Sequence, residues 1–203
     1  MALTLSSIFI NIIQNTSATE WACNFTALFC IILAARNHVL TWPIGIVSCV
    51  LFILLFMNAK LYAEAVLQVF FIATSVYGWW HWSAQQKKPA APIRNIAISE
   101  VTFWIVLAMS GGLMYAWVLQ QWTDAAKPWV DSQILTLSML AQWWLMQRNI
   151  RCWWIWLAVN TISVPLYVSR ELYVSALFYS LYWLMAIVAY RHWRKQFALQ
   201  LTK

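Results

Sequence analysis

The chain has 203 residues, of which 63% are hydrophobic and 9% are charged, with a mean hydropathy of +0.65 and a formal net charge of +7. A soluble domain of this length would carry roughly a quarter charged residues, so the composition excludes an ordinary soluble protein and indicates a membrane protein. The basic residues lie in short loops and a tail rather than on one soluble face, which excludes nucleic acid as a partner and favours anionic lipid headgroups.

Seven apolar stretches are predicted to span a membrane as helices, and six of them reach the roughly 17–25 residues that a span needs. The first is short and is expected to begin nearer Thr16. Residues 1–17 come first and are predicted to be a short amphipathic helix on the membrane surface, because their apolar residues recur at helical spacing. The predicted spans are residues 21–35, 39–57, 61–82, 96–119, 131–147, 152–169 and 172–192. Residues 83–95 form a polar linker before the fourth span, and residues 194–203 form a tail after the seventh.

Lysine and arginine residues are unequally divided between the two sides of the membrane. The gaps between the predicted spans, together with the two termini, alternate from one side to the other. One set of gaps holds three of them and the other set holds ten, which together are all thirteen. Because Lys and Arg are retained on the cytoplasmic side of bacterial-type membranes, we expect an odd number of spans, an outside N-terminus and a cytoplasmic C-terminus. The expected location is the bacterial inner membrane.

An internal repeat relates the last three spans to the first three. With a shift of 112 residues, the second half aligns with the first. Arg36, Asn37 and Trp42 then correspond to Arg148, Asn149 and Trp154. The alignment continues with a shift of 111 residues. The corresponding residues are then Leu61, Tyr62, Ala65, His81 and Trp82 in the first half and Leu172, Tyr173, Ala176, His192 and Trp193 in the second. The repeats are then residues 18–82 and 131–193, and the extra span at 96–120 makes them parallel. This predicts an all-α membrane protein of seven transmembrane helices in a 3+1+3 order, an architecture known from transporters with a site between the repeats.

The sixth span carries a stripe of three residues, Trp153, Trp156 and Asn160. Their i, i+3, i+7 spacing places them within an arc of about 60° on one helix face. An amide in the hydrocarbon core must face another helix or a cavity, because an unpaired one costs roughly 1–3 kcal/mol. Two indole rings beside an amide suit a planar cationic ring, by stacking and cation–π attraction. The alternative is an interhelical hydrogen bond made by Asn160.

Four further polar residues are expected near the same depth, on spans that the repeat relates. Ser48 in the second span takes the place of Asn160 in the sixth, and Tyr179 in the seventh takes the place of Gln68 in the third. Gln142 reaches towards the membrane midplane from the fifth span. A solute site built from two repeats would look like this, although structural hydrogen bonding explains each residue equally well when it is considered singly.

Other kinds of site find no support in the sequence. The cysteines Cys23, Cys30, Cys49 and Cys152 show neither a disulfide framework nor zinc-ligand spacing. There is no phosphate-binding loop motif, and no catalytic constellation of nucleophile and base or of paired acids. The absence of a deeply intramembrane carboxylate argues against proton coupling. We therefore expect a protein that is not an enzyme, with no cofactor and no metal.

These residues resemble the PnuC-type vitamin transporters, whose best-known members carry nicotinamide riboside. The similarity covers about residues 21–195, and its most specific element is the WxxWxxxN stripe of Trp153, Trp156 and Asn160. Further matches are the residues Trp42, Pro43, Gly45, Leu61-Tyr62-Ala63, Leu67-Gln68-Val69-Phe70-Phe71, Tyr77-Gly78-Trp79, Asp131-Ser132, Ala141-Gln142, Ile162-Ser163-Val164 and Leu172-Tyr173. The resemblance implies a 3+1+3 fold similar to SWEET sugar transporters, a homotrimer, and facilitated diffusion followed by trapping through a cytoplasmic vitamin kinase. It also implies ligand contacts by the stripe, with Gln68 and Gln142 as neighbours.

The sequence therefore predicts a transporter that moves nicotinamide riboside by alternating access through a site at the membrane midplane. The same family includes transporters of thiamine and riboflavin, and thiamine has a permanently cationic ring too, so thiamine is the first alternative. A second alternative is a membrane protein without transport activity, whose repeat records only a gene duplication.

Overall fold

In a computed structural model the described residues are 18–58, 62–86, 92–122, 128–169 and 173–202, and they form seven α-helices in chain order. The helices are α1 Ala18–Ala35, α2 Thr41–Asn58, α3 Tyr62–Gln86, α4 Ile98–Trp122, α5 Pro128–Met146, α6 Cys152–Ser169 and α7 Tyr173–Leu201. The predicted surface helix at residues 1–17 lies outside the described residues. The all-helical fold with seven transmembrane helices is thus confirmed.

Two helices are longer than their apolar runs. The third was predicted to end at residue 82 and continues to Gln86, and the seventh was predicted to end at residue 192 and continues to Leu201. The charged residues after 190 end the hydrophobic run without breaking the helix, because this segment contains neither Gly nor Pro. Trp193 and Phe197 pack against the core beyond the predicted end. The expected tail is therefore mostly a helical extension.

Apolar character is uneven among the helices. Four of them are long and apolar enough to cross a membrane by composition alone, namely α1, α4, α6 and α7, and α2 has a shorter apolar stretch over Thr41–Leu55. The helices α3 and α5 are more polar, and they pack against each other in the bundle. In α5, ten of the nineteen residues are buried against protein, and such burial removes the need for a continuous apolar surface.

Two bundles of three helices make up the body of the protein. One consists of α1, α2 and α3, the other of α5, α6 and α7, and α4 packs on α5. The bundles meet twice, where α1 contacts α7 and where α5 contacts α3. The repeat exchanges α1 with α5 and α7 with α3, so these two interfaces are equivalent. This arrangement is that of two parallel three-helix repeats joined by α4.

The short loops of the two bundles show the repeat at atomic detail. Asn37 and Arg148 each have a φ of 55°, a conformation that few residues other than Gly adopt. The N–H of Asn37 donates to Ala34 O at 2.9 Å, and the N–H of Arg148 donates to Leu145 O at 3.0 Å. A side chain then caps the next helix in each loop: the N–H of Leu40 donates to His38 Nδ1 and that of Arg151 donates to Asn149 Oδ1, both at 3.2 Å.

These pairs correct the predicted register. Each partner lies 111 residues after its counterpart, so the shift of 112 that aligned Arg36 and Asn37 with Arg148 and Asn149 was wrong. The shared Arg-Asn dipeptide displaced the alignment by one residue, whereas the backbone conformation aligns Asn37 with Arg148. Trp42 consequently corresponds to Trp153 rather than Trp154, and Ser48 does not correspond to Asn160.

The end of the bundle that holds residues 36–40, 92–97 and 147–151 is called the basic end below. Here the linker before α4 pairs with the loop between α5 and α6. The N–H of Arg94 donates to Arg148 O and the N–H of Ile150 donates to Arg94 O, both at 2.9 Å. The N–H of Ile93 also donates to Gln200 Oε1 in the extension of α7, at 3.1 Å. The linker therefore fastens α4 to the second repeat.

Candidate functional site

Four buried tryptophans occupy the basic end between the two repeats. Trp42 meets Trp82 edge to face at 5.1 Å between ring centroids, and Trp153 meets Trp193 in the same way at 5.5 Å. The two pairs are related by the shift of 111, and Trp82 contacts Trp193 at 6.3 Å. All four side chains are at most 2% exposed. We call this group the Trp tetrad.

Two tetrad members hydrogen-bond across the boundary between the repeats. The Trp82 indole N–H donates to Met146 O at 2.9 Å, and the Trp193 indole N–H donates to Ala34 O at 3.1 Å. Both carbonyls belong to the last turn of a helix, where they have no partner within the helix. Each repeat thus contributes one donor and one acceptor to the contact between the repeats.

The other two tetrad members keep an unused hydrogen-bond donor. Among the described residues, the buried indole N–H groups of Trp42 and Trp153 have no partner. The Trp42 ring lies against Gly78, where a Cβ atom would come within 2.7 Å of ring carbons, so only glycine leaves room for this ring. Beside the tetrad, the Arg148 guanidinium lies 4.2 Å from the Trp82 ring centroid, and burial lowers the pKa of Arg148 to about 10.

The predicted stripe on α6 faces the protein interior. Trp153 is 2% exposed and Asn160 is 4% exposed, whereas Trp154 on the opposite face is 50% exposed. Trp156 is partly buried and packs against the central hydrophobic cluster. Asn160 lies eight residues after the start of α6, about 12 Å along its axis, and has no hydrogen-bond partner within the described part of the chain. The interhelical hydrogen bond offered as its alternative role is thus absent among these residues.

The other four predicted site residues lie at different depths. Ser48 is near the middle of α2, and its hydroxyl is 3.4 Å from Cys23 O in α1. Gln68 and Tyr179 each lie six residues after the start of their helices, about 9 Å from the end opposite the basic end. Gln142 lies four residues before the end of α5, about 6 Å from the basic end. Together with the stripe they span the bundle rather than sharing one level.

An aromatic network that sequence reasoning missed joins α6 and α7 to α1. The hydroxyl of Tyr167 lies 3.4 Å from that of Tyr179, whose ring centroid is 5.4 Å from that of Tyr182. The Tyr182 hydroxyl donates to Asn24 Oδ1 at 3.1 Å. Asn24 is 2% exposed. Its position as an asparagine inside a predicted span could have identified it from the sequence, as the same feature identified Asn160.

Two surface cavities of the described residues lie away from these groups. One of about 250 Å³ lies between α4, α5 and α6. The other, of about 350 Å³, lies between α3 and α5. None of the seven predicted site residues lines either of them. Within the described residues no group of three or more His, Cys, Asp or Glu side chains is placed to hold a metal ion.

Comparisons with known proteins agree in pointing to transport. Residues 17–195 match the family model described as "Nicotinamide mononucleotide transporter". The chain is 28% identical to the nicotinamide riboside transporter PnuC of Escherichia coli, over 82% of this chain and 80% of that one. It is 23% identical to the riboflavin/roseoflavin transporter RibM of Streptomyces davaonensis, over 93% of this chain and 90% of that one. The crystal structure of a vitamin B3 transporter PnuC has the same fold, with a TM-score of 0.78 at 17% identity over 93% of this chain and 86% of that one.

Proposed function

Because the chain belongs to the nicotinamide mononucleotide transporter family, we propose that this membrane transporter carries nicotinamide riboside. Family membership identifies a transporter rather than an enzyme, and it sets aside the alternative of a membrane protein without transport activity. The E. coli relative is a nicotinamide riboside transporter, which supports this substrate.

The observation that carries the proposal is the inward stripe on α6. It places the amide of Asn160, a residue that is 4% exposed, on the same helix face as Trp156 and the unpaired indole N–H of Trp153. Nicotinamide riboside has a cationic pyridinium ring with a carboxamide. The ring suits the face of an indole, and the carboxamide can both donate to and accept from an asparagine amide. We propose Gln68, Gln142, Tyr179 and Ser48 as further contacts along the path.

Transport would proceed by alternating access between the two repeats. The Trp tetrad closes the basic end, and opening that end requires the two hydrogen bonds from Trp82 and Trp193 to break. Closure at the other end would follow from the opposite movement of the same bundles. No coupling ion is part of this proposal, so the substrate would move by facilitated diffusion down its own gradient.

We further propose that the protein works as a homotrimer in a bacterial inner membrane, with the basic end in the cytoplasm. Lysine and arginine are retained on that side, and ten of the thirteen lie in the gaps assigned to it. A cytoplasmic kinase would phosphorylate the vitamin after entry. The added charge would prevent its return and keep the gradient directed inward.

Thiamine and riboflavin are the competing substrates. Thiamine also carries a cationic aromatic ring, and the RibM relative is a riboflavin/roseoflavin transporter. Riboflavin has a larger neutral ring system and lacks the cation–π contribution. A cationic ring therefore suits the tryptophan stripe better than a flavin does.

Binding by the purified protein distinguishes these substrates. Titration should quench tryptophan fluorescence, and nicotinamide riboside should bind at least about tenfold more tightly than thiamine or riboflavin, which corresponds to about 1.4 kcal/mol. Nicotinamide without its ribose is the control for the ring alone. Tighter binding of either competing vitamin would reassign the substrate and leave the fold and the transport proposal intact.

A further inference from the structure

The cavity between α4, α5 and α6 combines an apolar groove with a cation at one end. Its volume is about 250 Å³, and it is lined by Ile98, Val101, Ile105, Trp144, Arg151, Trp154 and Ile155. Ile98 and Ile105 are seven residues apart on α4, so the apolar stripe runs about 10 Å along the helix. Arg151 in the loop before α6 is the one charged residue in this lining.

Arg151 has an unused hydrogen-bond donor. Its Nε atom is buried and has no hydrogen-bond partner among the described residues. Arg94 lies beside this loop, because its backbone is bonded to Arg148 and Ile150 on either side of Asn149. Glu100, in the first turn of α4, is exposed and does not line the cavity. The end of the groove is therefore positive.

The position of the groove determines what can occupy it. It begins at the first residue of a membrane-spanning helix, at the level of the loops, and extends towards the hydrocarbon. Trp154, which is half-exposed, contacts Tyr190 edge to face with 5.1 Å between ring centroids. Such aromatic pairs are typical of the headgroup level. An apolar groove that ends in arginines at this level is complementary to one acyl chain and one phosphate.

We propose that this groove is a binding site for an anionic phospholipid. The acyl chain would lie along Ile98 and Ile105, and the phosphate would accept hydrogen bonds from Arg151, with Arg94 nearby. Basic pockets between transmembrane helices bind anionic headgroups in this way. The equivalent place in the first repeat cannot do so, because Leu40 corresponds to Arg151 under the shift of 111 and no linker helix packs there.

The proposed lipid site lies beside the linker before α4, which is hydrogen-bonded to the loop between α5 and α6. The lipid would contact α4, α6 and the loop that is bonded to the linker, so it would hold the second repeat and α4 together. This role concerns assembly in the membrane and is independent of the transported substrate.

Native mass spectrometry of the full chain in detergent tests the proposal, with phosphatidylglycerol and phosphatidylethanolamine added at equal concentrations. Phosphatidylglycerol should be retained at one molecule per chain, and Arg151→Gln should reduce its retention about fivefold, the effect of losing one cationic contact. Arg36→Gln is the matched control, because it removes the same charge from the corresponding loop of the first repeat and should leave retention unchanged. A photoactivatable phosphatidylglycerol should cross-link to peptides of α4 and α6.

Three results would overturn the proposal. The first is equal retention of the two lipids by the unmodified protein. The second is an equal loss of phosphatidylglycerol in the Arg36 and Arg151 variants, which would indicate only a general effect of charge. The third is efficient disulfide formation between copies of an Ile98→Cys variant in native membranes, which would assign the groove to a second copy of the chain.

Discussion

Replacing Asn160 with leucine is expected to lower the affinity for nicotinamide riboside at least about tenfold, with a corresponding loss of uptake at low substrate concentration. The substitution keeps the number and branching of the side-chain heavy atoms and replaces the amide with two methyl groups. A substrate carboxamide left without its partner in a buried site costs roughly 1–3 kcal/mol. Tryptophan quenching by the purified variant measures the change.

The matched control is Ala158→Leu, two residues earlier on the exposed face of the same helix. It should bind nicotinamide riboside like the unmodified protein, because an exposed position on a membrane helix accepts a larger apolar side chain. Thermal unfolding of both variants in detergent would verify that they are folded. Unchanged affinity in a folded Asn160→Leu protein would place the substrate elsewhere in the bundle.

Replacing Trp193 with phenylalanine is expected to open the basic end. The substitution removes the indole N–H that donates to Ala34 O across the two repeats, and that carbonyl keeps only the bond from the Asn37 N–H in its own loop. The lost hydrogen bond contributes roughly 1 kcal/mol to the closed conformation alone, so the population that is open at this end should rise about fivefold.

Cys152 reports this opening directly. It is fully buried at the start of α6, immediately before Trp153 in the tetrad. In a background with Cys23, Cys30 and Cys49 changed to alanine, a water-soluble maleimide should label Cys152 about fivefold faster in the Trp193→Phe variant. Trp183→Phe is the control, since it removes an indole hydrogen bond to Thr161 at an exposed position of the same helix. Equal labelling rates in both variants would mean that the tetrad does not control access.

The sequence predicted the number and order of the helices because each long apolar run must form a helix when water is absent. It located the repeat and the shift of 111 that relates the third span to the seventh, but the shift of 112 for the first two spans was one residue too large. The identical Arg-Asn dipeptides suggested a shift of 112, and the left-handed backbone at Asn37 and Arg148 is invisible in side-chain identities. One residue of error moves a helical position by about 100°, which explains the false pairing of Ser48 with Asn160.

The candidate site was predictable where helical periodicity decides the direction of a side chain. The stripe of Trp153, Trp156 and Asn160 faces inward because its spacing keeps the three residues on one face. The cross-repeat bonds of Trp82 and Trp193 depend on how two bundles dock, and helix periodicity contains no information about docking. Whether the stripe binds a substrate stays a prediction.

Uptake into proteoliposomes tests the central claim most directly, which is that two repeats alternately expose one site for nicotinamide riboside. Vesicles containing the protein should equilibrate labelled nicotinamide riboside without an ion gradient, and should accumulate it only when a nicotinamide riboside kinase and ATP are enclosed. Vesicles with a folded Asn160→Leu variant should take up far less. Absence of entry with the enclosed kinase, or uptake that requires an imposed proton or sodium gradient, would contradict this account.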